Sequence, residues 1–92
     1  MLMKTKIPLE TAIAYCNDFY AADSVDDKRA IGSSLISDLE VTYKDKANYV
    51  NSTLSPILQL HVDTFNRTKI KLKPENLKAL VTDLYNKNNG DF

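Results

Sequence analysis

Residues 24–43 read SVDDKRAIGSSLISDLEVTY, and this stretch decides the fold. Ile31, Leu35, Leu39 and Tyr43 recur every fourth residue, with Ala30 and Ile36 widening the stripe. A strand would alternate every second residue, so this is the period of one helix face laid against a core. The start of the helix is marked too. Ser24 followed by Asp27 has the form of a capping box, and Asp26 and Asp27 set negative charge at the positive end of the helix dipole. The pattern predicts a helix over about 25–45. Gly32 weakens it by about 1 kcal/mol relative to Ala, and is either the site of a close helix crossing or simply tolerated.

Upstream, Pro8 suits a first helical turn, where its missing N–H costs nothing, and Glu10 favours the same helix end. Leu9, Ala12, Ile13, Cys16 and Tyr20 follow at helical spacing, which predicts a helix over 8–22. Downstream, Ala47 to Leu54 is ambiguous between a frayed helix and a loop: Asn48, Asn51, Ser52 and Thr53 are poor helix formers, although Tyr49, Val50 and Leu54 keep an apolar rhythm. Ser55-Pro56 then reads as a fresh start, since Pro costs about 3 kcal/mol inside a helix and is welcome at its first position. The expected third helix is 56–67, with Ile57, Leu58, His61 and Phe65 on one face. Thr68 to Lys73 alternates with a period of two and reads as an extended connection. A fourth helix over 74–87 opens at Pro74-Glu75 and buries Leu77, Leu80, Val81 and Leu84, with Tyr85 at the margin. Asn88-Asn89-Gly90 is a stop signal.

Four amphipathic helices joined by short connections imply an all-α fold, an antiparallel four-helix bundle forming one domain over 1–92. The composition agrees. A chain of 92 residues, 43% hydrophobic and 26% charged, has material for one core, and two Gly and three Pro leave little for a turn-rich sheet architecture. Twelve basic residues balance twelve acidic ones, which removes the overall electrostatic case for nucleic acid. The distribution is uneven: six basic residues face nine acidic ones up to Asn66, and six face three beyond it. Cys16 is the only cysteine, so no internal disulfide forms and a reducing compartment fits. With no apolar run of signal-peptide or membrane-spanning length, the expected location is the cytoplasm, with no transmembrane segment and at most peripheral proximity to a membrane.

The search for chemistry ends mostly in plain structural roles. His61, the sole histidine, lies on the apolar face of its helix without the Lys-Gly that accompanies a phosphorelay histidine, and reads as a core-margin residue. One Cys and one His cannot supply four zinc ligands, and Asp23, Asp26 and Asp27 lack the spacing and turn glycine of a calcium loop. Asp23-Ser24-Val25-Asp26 is similar to the phosphopantetheine attachment motif of acyl carrier proteins. Lys28, however, stands where those have an apolar residue, and Ser24 reads as a helix cap. No nucleophile-and-base pattern and no phosphate loop occur, so an enzyme is not expected, nor a cofactor or metal. What remains is a basic run, Arg67, Lys69, Lys71 and Lys73, with Lys78 and Lys87 further on. It is a candidate surface for a protein partner, a lipid headgroup or a phosphate chain. Aromatic residues do not interleave with it, so no stacking platform for single strands is implied.

Tyr15, Asn17 and Asp18, then Leu35, Leu39, Tyr43 and Lys44, Pro56-Ile57, Phe65, Lys69-Ile70 and Glu75 to Leu80 together resemble the enterocin A immunity family. These are small cytosolic proteins that protect a bacteriocin producer from its own pediocin-like peptide. The resemblance covers about three quarters of the chain. It implies a four-helix bundle without enzymatic activity, which recognises the bacteriocin on its membrane receptor, the mannose phosphotransferase permease, from the cytoplasmic side. It also places specificity in the C-terminal half. The other readings of the same residues are a small carrier or phosphotransfer bundle using Ser24 or His61, and a regulatory bundle such as an antitoxin or adaptor.

Overall fold

A computed structural model of the chain describes residues 7–87. They form four helices: α1 (Leu9–Ala21), α2 (Val25–Thr42), α3 (Ala47–Thr68) and α4 (Glu75–Lys87), with a single 3-10 turn, Lys44–Lys46, between α2 and α3. No strand occurs among the described residues. The stop signal Asn88-Asn89-Gly90 lies outside them.

The helices close into a ring. α1 packs on α2 and α4, and α3 packs on the same two helices from the other side. Connections of a few residues force each helix to run against the one before it, so the expected antiparallel four-helix bundle is the fold. Its core is built from Ala12, Cys16 and Phe19 of α1, Leu35 and Leu39 of α2, Val50, Leu54, Leu58 and Val62 of α3, and Leu77, Val81 and Leu84 of α4.

α1 and α2 start as the sequence requires. Pro8 is the N-cap of α1, and its carbonyl accepts the N–H groups of Thr11 and Ala12 at 3.1 and 3.2 Å. Ser24 Oγ accepts the Asp27 N–H at 3.0 Å, satisfying one orphan donor of α2. α2 closes earlier than expected, at Thr42, because Tyr43 leaves the helical region at φ −118 and ψ 60. Thr42 then anchors the segment before α1: its hydroxyl accepts the Ile7 N–H at 3.0 Å and donates to the Asp38 carbonyl at 2.8 Å. Tyr85 Oη holds the Ile7 carbonyl at 2.8 Å from the opposite side.

The third helix corrects the sequence reading. It begins at Ala47, nine residues before the expected start, and carries Pro56 in its interior. Val50, Leu54, Leu58, Val62 and Phe65 step along one face straight through the proline, and Val50 and Leu54 are fully buried. Burial of two such side chains is worth about 1.5–3 kcal/mol each, which matches or exceeds the ~3 kcal/mol that an interior proline costs. The carbonyl left without a donor belongs to Ser52, on the exposed side of the helix, where water can reach it. Ser55 is accordingly no cap; its hydroxyl donates to Asn51 Oδ1 one turn back, at 2.7 Å.

The stripe of α2 also differs from the expected one. Its buried residues are Lys28, Gly32, Leu35 and Leu39, while Ile31 and Ile36 are only half-buried and Ala30 is exposed. In α1 the third buried position is Phe19, with Tyr20 half-buried beside it. Both shifts rotate the helices toward one corner of the bundle, where α1 ends.

Candidate functional site

A helix leaves its last four carbonyls without intrahelical donors. α1 ends at Ala21 with no basic residue in its own last turn to meet them. Here all four find partners. The Asp18 carbonyl accepts the Ala22 N–H at 3.0 Å. Lys28 Nζ, reaching across from α2, donates to the carbonyls of Phe19 at 2.8 Å and Tyr20 at 3.2 Å. Lys71 Nζ, from the connection between α3 and α4, donates to the Ala21 carbonyl at 3.0 Å and forms an ion pair with Asp23.

Lys28 is 2% exposed, an unusual state for a cation. Its stem runs inside the bundle, and its ammonium lies 5.2 Å from the ring centre of Phe19 and 4.9 Å from that of Phe65. Two carbonyls at the negative end of a helix and two aromatic faces replace the water it has lost. Burial nonetheless holds its pKa below the usual lysine value, and the nearby charge of Lys71 acts in the same direction against the opposing pull of Asp23.

His61 sits at the same corner, buried on α3, with its ring 5.6 Å from that of Phe19. Burial first and the charge of Lys28 second push its pKa down, so it is held as a neutral imidazole. It is the core-margin histidine expected from its helical face, without the exposure a phosphoryl acceptor needs. Cys16 is buried at the centre of α1, and desolvation pushes its thiol up to about 11, far from the reactive range. Ser24 caps α2. Among the described residues, no three His, Cys, Asp or Glu side chains gather as metal ligands.

The six cationic candidates do not form one patch. Arg67 is exposed in the last turn of α3. Lys69 follows as the C-cap in the left-handed region, at φ 61, and its N–H closes on the Phe65 carbonyl at 2.8 Å. Its ammonium lies 5.5 Å from the Phe65 ring centre. Lys71 turns inward to the end of α1, and Lys73 is exposed. Ile70, between them, is 58% exposed. Arg67, Lys69, Ile70 and Lys73 thus make a short edge, cationic with one apolar residue, braced by Lys71. Lys78 is half-buried on α4 and lowers the Cys16 pKa against the effect of burial. Lys87 closes α4 and pairs with Asp83 at 3.1 Å. α4 has 13 residues, so about 20 Å of helix separates Lys87 from the connection.

Comparison of the chain with protein-family models, with curated proteins and with solved structures finds no match. The site is therefore read from its own residues. No helix among the described residues is long and apolar enough to cross a membrane.

Sequence reasoning did not single out Phe19 or Lys28, the two residues that organise this corner. The signal for Lys28 was present: position 28 continues the spacing of Gly32, Leu35 and Leu39 toward the N-terminus. A lysine at a core position beside a helix end without a cation of its own marks a cross-helix cap.

Proposed function

We propose that this chain acts by contact with a protein partner and without catalysis, as a bacteriocin immunity protein. In this reading it works in the cytoplasm and protects its host from a pediocin-like peptide by recognising the peptide on a membrane receptor permease. Support comes from the sequence resemblance, which implies the four-helix architecture that the chain has. The observation that carries the reading is the exposed edge of Arg67, Lys69, Ile70 and Lys73, in the half of the chain where the resemblance puts specificity. A half-exposed apolar residue framed by cations suits an amphipathic surface with acidic groups.

The test is protection in living cells. Expression in a sensitive lactic-acid bacterium should reduce killing by at least one member of a panel of pediocin-like peptides, and unchanged killing by all of them refutes the reading. Within a protecting strain, the double substitution Lys69→Glu and Lys73→Glu should lower protection while helicity stays the same. Lys71 is left intact because it supports α1.

A further inference from the structure

Beside the corner at the end of α1, and sharing Phe19 and Lys28 with it, a groove runs along the seam between α2 and α3, with a volume of about 270 Å³. Its floor is apolar, made by Phe19, Leu58 and Val62, and it exists because α2 carries no side chain at Gly32. A Cβ placed there would stand 3.5 Å from Phe19 Cε1 and 3.6 Å from Leu58 Cδ1, in ordinary contact, so the helices are not pressed together at this point. Any longer side chain would occupy the groove.

The walls carry charge of one sign. Lys28 and Arg29 line the groove and no carboxylate does, in a chain whose total charge is zero. Gln59, on the groove's wall, donates its amide to Asp63 at 2.8 Å. Lys28 is committed to the α1 carbonyls and contributes its field. Arg29 is exposed and, among the described residues, makes no ion pair or hydrogen bond. Its planar fork is suited to a carboxylate, which it can grip through two parallel N–H donors. Ser33 and Ser55 add hydroxyls along the rim.

From this pairing of an apolar floor with an unpartnered guanidinium, we infer that the α2–α3 groove is a binding site for a small anionic amphiphile: one aromatic ring or short branched chain bearing a carboxylate. The volume lies just under the ~300 Å³ at which ligand pockets usually begin, which limits the apolar body to about one ring. The site is separate from the cationic edge of the proposed partner surface, and its occupancy does not depend on the immunity reading.

The experiment uses the full chain, isotopically labelled, titrated with 4-phenylbutyrate, 4-phenylbutanol and 4-phenylbutylamine while backbone amide shifts are recorded. The acid should move the amides of Gly32, Ser33, Ser55 and Gln59, binding at least about fivefold more tightly than the alcohol, with the amine weakest; fivefold corresponds to about 1 kcal/mol. Arg29→Gln should bring the acid down to the affinity of the alcohol. Ser33→Phe, a change on the exposed rim that covers the floor, should abolish binding of all three while the circular dichroism spectrum is retained. Equal affinity for the three compounds, shifts centred outside the groove, no shift up to about 10 mM, or an acid preference that survives Arg29→Gln would each overturn the assignment.

Discussion

Replacing Lys28 by Met keeps most of the stem that packs inside the bundle and removes only the ammonium. Buried ionic groups can often be exchanged for apolar ones at little cost, because both members of a pair disappear together. Here the partners are backbone carbonyls and cannot be removed. The Phe19 carbonyl is bonded in a buried setting and the Tyr20 carbonyl in a part-buried one. An unsatisfied buried acceptor costs about 1–3 kcal/mol; water can relieve part of the second, and two cation–π contacts are lost as well. Against this stands the recovered desolvation penalty of the ammonium. The balance is a destabilisation of about 2–4 kcal/mol. Urea unfolding followed by circular dichroism at pH 7 reads it as a lower midpoint with an unchanged slope, shifted by roughly 1–4 M for a slope of about 1–2 kcal/mol/M. Loss of the Lys28 charge also removes one of the two influences holding the His61 pKa down, so the imidazole should titrate at higher pH in the variant by proton NMR. A variant as stable as the parent, with His61 titrating unchanged, would refute the cross-helix cap.

Gly32→Ala should raise stability by about 0.5–1 kcal/mol in the same urea assay, since the added Cβ meets only ordinary contacts and the helix gains propensity. Pro56→Ala should restore the donor missing from the exposed side of α3 and raise stability by at least about 1 kcal/mol; equal stability would mean that α3 is bent to fit the proline. His61 gives a pH dependence of defined sign. Its folded pKa lies below the usual value, so the unfolded chain binds the proton first, and stability present at pH 7 is lost as pH falls below about 6.5. Thermal melts between pH 7 and 5 should show this decline, and His61→Phe should flatten it.

The bundle was legible because α1, α2 and α4 each carry a start signal and a 3.6-residue stripe that agree with one another. The junction into α3 was not, because Pro56 and a run of Asn, Ser and Thr speak locally for a boundary. Only the burial of Val50 and Leu54 against the other helices outweighs them, and that is a tertiary quantity. The cationic run was visible as composition, but composition does not say which way a side chain turns. Lys71 is drawn inward by one orphan carbonyl, that of Ala21, and by Asp23 at the end of α1, about fifty residues away in sequence. Lys28 was read as a departure from a carrier-protein pattern, although its spacing from Gly32 and Leu35 put it on the buried face.

The closure of α1 has a consequence for how the chain assembles during synthesis. Its final turn borrows donors from residues 8, 9 and 50 places further along. An excised peptide of α1 would fray at that end, and a nascent chain cannot complete its first helix until Lys71 has emerged.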